Sequence, residues 1–378
     1  NDRNTFMELV LSSNILVIIL SWIVSFMISY ISIPSIVEVA VKKKLYDVPN
    51  GRTSHDIVTP TLGGMAIFSG FVISSMIFVN IAEIVYVQYI IASMIVLFFL
   101  GLKDDIIGLG PLKKFVGQLI AAGIVIDLGG IKLHSFHGIA GIHSLDYYSS
   151  DLFSLFVIIA IVNAVTLIDG IDGLASGVGI IATATFGAWF FMDGHYQLTI
   201  LSGALCGSLA AFFIFNVFAS NKKLFMGDIG SLMLGFMLSI FAIKFIELNR
   251  LSTGIYSIGS SPAIAIAVLI IPIFDTIRVF AIRISKGKSP FVADKQHVHH
   301  YLLELTGSHK YSTFILLFVN ILFILLGIVL RDIRVTYLVV ILFSVAGILS
   351  SIPYQLVINK RRRINNKAKS IKQDFSAD

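Results

Sequence analysis

Apolar residues arrive along this chain in long runs, most of them about 17 to 25 residues, with short polar segments between them. The run FILLFVNILFILLGIVL, residues 314–330, is apolar on every side and leaves no polar helix face. A strand of a membrane β-barrel would alternate apolar and polar residues over about ten positions. The pattern therefore predicts helices that cross a bilayer. Eleven spans are expected, at roughly 12–33, 62–80, 83–102, 114–131, 152–169, 174–192, 197–219, 230–247, 262–283, 313–330 and 335–357.

Composition agrees with the pattern. Of 378 residues, 56% are hydrophobic and only 13% charged, with a mean hydropathy of +0.90, whereas soluble domains are about a quarter charged. A soluble globular enzyme is excluded. The single cysteine, Cys206, rules out an intramolecular disulfide or a CxxC metal site. The first run is too long for a signal-peptide core and lacks a basic leader and a small-residue cleavage site, so it is expected to be the first span. No internal repeat or low-complexity segment is evident.

Charge sets the expected orientation. Most of the 28 Lys and Arg fall in segments that must share one side: Lys42, Lys43, Lys44 and Arg52; Lys103, Lys113 and Lys114; Lys222 and Lys223; Arg283, Lys286, Lys288, Lys295 and Lys310; and the tail from Lys360 to Lys372. By the positive-inside rule that side is the cytoplasm, with the N-terminus outside and the C-terminus cytoplasmic. The expected organisation is an all-α polytopic domain over 1–357, with cytoplasmic loops 34–61, 103–113, 169–173, 220–229 and 284–312, and a basic tail over 358–378. The net charge of +6 owes most to the tail KRRRINNKAKSIK. That tail reads as a topology determinant touching anionic lipid, so no nucleic-acid partner is expected.

The unusual acids and histidines gather on the same side. Asp104 and Asp105, in GLKDDIIGLGP, follow the third span. Adjacent carboxylates repel unless cations or donors offset them, which suggests Mg²⁺, a phosphate relay or flanking lysines, against a plain solvated loop pair. In NAVTLIDGIDGLASG, Asn163 precedes two Asp-Gly steps at Asp169 and Asp172, which break the helix and let both carboxylates converge. Asp228, in KKLFMGDIGSLMLG, stands at the start of the eighth span, where helix amides and an oxygen ligand suit Mg²⁺ with a phosphate, or simply a cap. His297, His299 and His300 lie in a long basic loop and look more like phosphate ligands than a zinc site, there being no Cys and no zincin spacing. Asp275, inside the ninth span, is read as a structural ion pair with Arg278 at i+3. His134, His137 and His143, on the other side, are read as ordinary surface residues.

Taken in order, these motifs resemble the polyprenyl-phosphate N-acetylhexosamine-1-phosphate transferases. The resemblance covers residues 45–305 through DVPNGRTSHDIVTPTLGG, KDDIIGLGP, NAVTLIDGIDGLA, FMGDIGS and GKSPFVADKQHVHH. It implies a helical membrane fold with a cytoplasm-facing groove, dependence on Mg²⁺ (Mn²⁺ as a substitute), and two substrates, undecaprenyl phosphate and a UDP-amino sugar. By matched position, Asp104, Asp105 and Asp169 resemble its catalytic acids, Asp228, Asn163 and Asp172 its metal region, and Phe225 the aromatic that stacks on uracil. Arg283, His297, His299, His300, Asn50, Arg52 and His55 resemble its substrate contacts. HVHH and the DxPNxRxxH-type loop resemble the UDP-N-acetylglucosamine branch. Thr166 stands where the family often has a second Asn, and Thr53 where a basic residue often follows Arg52.

The implied reaction moves N-acetylglucosamine-1-phosphate onto undecaprenyl phosphate and releases UMP, beginning a cell-envelope glycan at the bacterial inner membrane. Another donor, such as UDP-MurNAc-pentapeptide, is the alternative within the family. A secondary transporter is the alternative outside it, disfavoured because transporters set such groups near the midplane. A homodimer is compatible with the small-residue run SGALCGS in span seven.

Overall fold

A computed structural model describes residues 2–47, 59–219, 222–289 and 296–374. Among the described residues thirteen α-helices follow one another: α1 (Asp2–Lys42), α2 (Gly63–Phe78), α3 (Val87–Ile107), α4 (Pro111–Gly123), α5 (Tyr147–Ile168), α6 (Leu174–Met192), α7 (Tyr196–Val217), α8 (Gly227–Leu251), α9 (Ser261–Val268), α10 (Ile270–Ser285), α11 (Val298–Thr306), α12 (His309–Val329) and α13 (Val335–Asp374). A two-residue antiparallel ladder, β1 (Tyr46–Asp47) with β2 (Thr59–Pro60), interrupts the helical pattern.

Seven of the helices are long and apolar enough to cross a membrane, and eight if the bent pair α9 and α10 forms one span. The chain is a multi-pass membrane protein. Each of the eleven predicted apolar runs falls on a helix or helix pair, but α2, of 16 residues, and α4, of 13, are short for a full crossing.

Helix α8 is the axis. Nearly all of it from Ile229 to Ile246 is buried, as expected of a helix apolar on all sides and packed by α2, α3, α5, α6 and α9. On one flank α1, α2 and α7 pack together, and serines bridge them. Ser21 Oγ donates to Ile200 O (3.1 Å), Ser25 Oγ to Ala204 O (2.5 Å) and Ser29 Oγ to Ala66 O (2.9 Å). In apolar surroundings a hydroxyl that finds a carbonyl on the next helix avoids a desolvation cost. The small residues of SGALCGS are used within this flank: a Cβ on Gly207 would come within 2.3 Å of Trp22 O.

Two segments depart from expectation. The ninth span, expected to run unbroken from 262 to 283, bends by 82° between α9 and α10. Pro272 explains the break, because it offers no N–H to the carbonyl of Val268, and its ring crowds that carbonyl. Beyond the bend, Pro272, Asp275, Val279 and Arg283 repeat every three or four residues and form the buried face of α10. The basic tail, expected as a separate segment from 358, continues α13 as one helix through Pro353 to Asp374. It is docked at Glu304 of α11, which accepts from Arg361 Nε (2.9 Å) and Nη2 (2.5 Å), while Lys360 Nζ reaches Glu304 O (2.9 Å).

Candidate active site

The apolar part of α3 ends at Leu102, and the acid pair occupies the last turn. Successive helix residues point about 100° apart, so the two carboxylates serve different neighbours. Asp104 accepts the amide of Leu109 (2.5 Å), fastening the Gly-rich turn into α4, and pairs with Lys114. Asp105 crosses to the start of α8, accepting the amides of Asp228 (2.8 Å) and Ile229 (3.2 Å). It thereby caps a helix remote in sequence, satisfying donors that the first turn leaves unpaired. Burial, with the charges of Asp228 and Asp104, pushes the Asp105 carboxyl up to about 7 against the pull of those two amides.

Gly227, just before Asp228, has φ +70, and a Cβ there would lie 2.1 Å from Thr61 O and 2.6 Å from Asp105 Oδ2. Only glycine fits. The preceding residues are held like a strand: Phe225 N donates to Pro60 O (2.7 Å), Gly63 N to Phe225 O (2.9 Å) and Gly64 N to Met226 O (2.8 Å). Lys114 Nζ lies 3.1 Å from Asp228 Oδ2, so one lysine bridges the KDD and FMGD motifs.

The DGIDG turn closes the opposite wall. Helix α5 stops at Ile168, the chain turns at Gly170 and Gly173, and α6 begins. Asp172 pairs with Lys223 Nζ at 2.6 Å, and its N–H donates to His309 Nδ1 (3.3 Å). Its Oδ1 is buried and has no hydrogen-bond partner among the described residues. Burial, then the charges of Asp228, Asp105 and Asp172, hold the Asp169 carboxyl well above the usual carboxylate range. Asn216, at the end of α7, accepts from Gly173 N (2.5 Å) and donates to Leu224 O (2.8 Å), tying this turn to the Phe225 segment.

Asp105, Asp169, Asp172 and Asp228 line one cavity of about 300 Å³ together with Phe225 and Thr166. Two expected members stand apart from it. Asp104 does not line it: its carboxylate fastens the α4 turn and meets Asp228 from behind, the two sharing Lys114. Asn163, further back on α5, gives its amide to Gln118 Oε1 (2.8 Å) and Ile159 O (2.8 Å).

The expected histidines do not line this cavity; His299 meets the DGIDG turn that does. His297 Nδ1 lies 2.9 Å from Asp275 Oδ2, and Val298 N donates to Asp275 Oδ1 (3.1 Å). The expected Asp275–Arg278 pair is present at 3.1 Å. Asp275 thus does more than pair along its own helix, because it anchors the start of α11. His299 then presses against the DGIDG turn, its Nε2 2.6 Å from where a Cβ on Gly170 would stand, and His300 lies beside it, ring centroids 4.3 Å apart. Arg283 is buried on the same face of α10 as Asp275. Asn50, Arg52 and His55 lie outside the described residues.

The acid cavity fits a hard divalent cation. Its donors are oxygens, one buried carboxylate oxygen lacks a partner, and Asp169 is crowded by like charges that a cation would relieve. Asp275, His297 and His299 also bring ligand atoms within 4.8 Å of one another. There the carboxylate oxygens already serve Arg278, His297 and Val298, so the group holds as a hydrogen-bonded anchor. Sequence reading missed Lys114, Lys223, Asn216 and His309. The lysines read as topology charges, and nothing in the local sequence joins residues so far apart.

The family described as "Glycosyl transferase family 4" matches residues 87–246. The chain is 30% identical, over 319 residues, to a probable undecaprenyl-phosphate N-acetylglucosaminyl 1-phosphate transferase of Bacillus subtilis, covering 83% of this chain and 85% of that protein. It is 32% identical, over 283 residues, to a decaprenyl-phosphate N-acetylglucosaminephosphotransferase of Mycobacterium leprae, covering 69% and 71%. A Salmonella typhi undecaprenyl-phosphate alpha-N-acetylglucosaminyl 1-phosphate transferase is 29% identical over 283 residues, 74% of each chain.

Proposed function

The chain belongs to glycosyl transferase family 4, and on that premise we propose that it transfers N-acetylglucosamine-1-phosphate from UDP-N-acetylglucosamine to undecaprenyl phosphate. The products are UMP and a lipid-linked diphospho-sugar that starts a cell-envelope glycan. The observation that carries this reading is the convergence of Asp105, Asp169, Asp172 and Asp228 with Phe225 around one cavity, in a chain similar to enzymes whose names specify this transfer.

Joining two anions requires that charge be neutralised first. Mg²⁺ held by Asp228 with Asp169 and Asp172, or Mn²⁺ in its place, would supply that neutralisation at the donor diphosphate. Lys114 and Lys223 already lie on Asp228 and Asp172 and share the charge of the site. Half-buried His300 takes remaining phosphate oxygens, with His297 and His299 buried behind it in the anchor at Asp275, and Arg283 contributes its charge from the buried face of α10. Phe225 offers its ring to the uracil base.

Asp105 acts on the acceptor. A phosphate monoester is mostly ionised at neutral pH, so it needs orientation and loss of a residual proton. Asp105, buried in the cavity wall and held by two amides, is placed for both tasks. The reaction is a direct displacement: an acceptor oxygen forms the new P–O bond as the bond to UMP breaks. Asp104 supports the site from behind by fixing the α4 turn and Lys114.

The bundle crosses the bacterial inner membrane eleven times, with the N-terminus outside and the acid cavity at the cytoplasmic end. The positive-inside distribution of Lys and Arg supports this orientation. The prenyl chain stays in the lipid while its phosphate meets the cavity at the interface.

The deciding experiment measures UMP release by detergent-purified protein given undecaprenyl phosphate, Mg²⁺ and UDP-N-acetylglucosamine. Release that requires the lipid and is abolished in Asp228→Ala supports the reading. Release with another UDP-amino sugar alone would reassign the donor, and silence with every donor in folded protein would overturn the reading.

A further inference from the structure

Between the end of α5 at Ile168 and the start of α6 at Leu174 the DGIDG backbone is outside any helix, so its buried polar groups need partners from elsewhere. The amide of Gly173 goes to Asn216. The amide of Asp172 goes to Nδ1 of His309, the first residue of α12, at 3.3 Å. One turn further along α12, Thr313 Oγ1 donates to the carbonyl of Asp172 at 2.6 Å. Both backbone groups of Asp172 are therefore held by one helix, from 137 and 141 residues away in sequence.

Helix geometry accounts for the pair. His309, Thr313 and Leu317 recur at i, i+4 and i+8 and share one face of α12. That face lies along α6: Leu317 Cδ1 is 2.5 Å from where a Cβ on Gly177 would stand, and Thr313 Cγ2 is 3.4 Å from the same point on Gly173. Other hydroxyls in the bundle bond back to the carbonyl four residues earlier, as Ser312 does to Ser308 O (3.0 Å), Thr166 to Val162 O (3.0 Å) and Thr185 to Ile181 O (2.7 Å). Thr313, fully buried, leaves its own helix and crosses to Asp172 instead.

The carboxylate of the clamped residue is divided between two tasks. Asp172 lines the acid cavity. Its Oδ2 pairs with Lys223 at 2.6 Å and has His309 Nδ1 at 3.6 Å, whereas Oδ1 is buried with no hydrogen-bond partner among the described residues. With the backbone fixed on both sides and Oδ2 engaged, Oδ1 is the oxygen left for a ligand. Only an unprotonated Nδ1 accepts an amide N–H, so the imidazole that holds Asp172 is the tautomer with its proton on Nε2.

We propose that His309 and Thr313 are positioning residues, holding Asp172 so that its free oxygen serves the divalent cation of the acid cavity. The inference rests on the reading of that cavity as a cation site. Neither side chain lines the cavity, so both act through Asp172. Groups that orient a metal ligand from behind commonly change metal affinity by about 10–100-fold when they are removed.

The test is Mn²⁺ binding by EDTA-treated full-length protein in detergent, followed by loss of the free-ion electron paramagnetic resonance signal. Wild type should bind Mn²⁺ with a dissociation constant that Asp228→Ala raises. His309→Ala and Thr313→Val should each raise it about tenfold or more. His309→Asn, whose side-chain oxygen can accept the Asp172 amide, should recover most of the loss. A role confined to folding would lower the metal-free melting temperature and leave the dissociation constant of the folded protein unchanged, which overturns the proposal. If His309→Ala does not fold, Thr313→Val, which keeps the side-chain shape, decides alone. Binding that needs Asp228 but neither His309 nor Thr313 overturns this inference only; binding indifferent to Asp228→Ala overturns the cation reading of the cavity and this inference with it.

Discussion

Asp105 Oδ1 accepts the backbone amide of Asp228 at 2.8 Å, joining the end of α3 to the start of α8 across 123 residues of sequence. The same carboxylate lines the cavity, so a structural cap and a reacting group are one side chain. Asp105→Asn keeps the size of the side chain but loses the anion and can accept only one of the two amides. Turnover is expected to fall by about 10²-fold or more, with UDP-sugar affinity, measured calorimetrically, changed less than about threefold. Equal losses in both would assign Asp105 to donor binding instead.

Gly227 supplies the backbone turn that this cap needs. In Gly227→Ala the new methyl meets Thr61 O and the Asp105 carboxylate at a left-handed φ. A loss of about 1–3 kcal/mol of stability is expected, read as a lowered melting temperature, together with loss of UMP release. A variant as stable and active as wild type would contradict the close approach.

Asp275 carries a heavier structural duty than a pair within one helix. Removing it by Asp275→Ala leaves His297, Arg278 and the amide of Val298 without their shared acceptor, at an expected cost of about 3–5 kcal/mol for a broken buried pair. Asp275→Asn should recover part of the melting temperature. No difference between the two variants would show that the carboxylate does not hold α11.

His299 makes stability depend on pH. Burial, with the neighbouring His300, lowers its pKa from 6.5 to about 3. The unfolded chain therefore takes up this proton below about 6.5 while the folded one does not. Its contribution is present above that pH and is lost as pH falls toward 3, by up to about 1.4 kcal/mol per pH unit. Melting temperatures between pH 7 and 5 should fall less steeply in His299→Gln; parallel curves would remove His299 as the cause.

Divalent cation should stabilise the fold through the acid cavity. Adding Mg²⁺ to EDTA-treated protein is expected to raise the melting temperature by mass action, about 2.7 kcal/mol of stability at a hundredfold excess over the dissociation constant. The rise should vanish in Asp228→Ala and persist in His297→Gln. The reverse pattern would move the cation to the Asp275 group.

How much of this was legible in the sequence follows from what each feature depends on. Every apolar run lies on a helix, because length and apolarity are local properties. The break at Leu269 was also local, since Pro272 was visible, but a proline in an apolar run need not bend a span and the run read as continuous. The motif acids were legible one by one. What was hidden was the division of labour between Asp104 and Asp105, and the Asp172–Lys223 and Asp228–Lys114 pairs. Those contacts span 51 and 114 residues and exist only once α8 is packed among its neighbours.

Asn216 fixes both ends of the connection from α7 to Phe225, taking Gly173 N on one side and reaching Leu224 O on the other. The position of Phe225 and Asp228 is then set by that amide and by the pairing with Pro60, Gly63 and Gly64, independently of how many residues lie between. A few residues inserted after Phe218 and ahead of Lys223, which pairs with Asp172, change mainly the closure entropy, by well under about 1 kcal/mol. This stretch is therefore where the chain can vary in length, or accept an epitope or a fluorophore, while the site keeps its geometry.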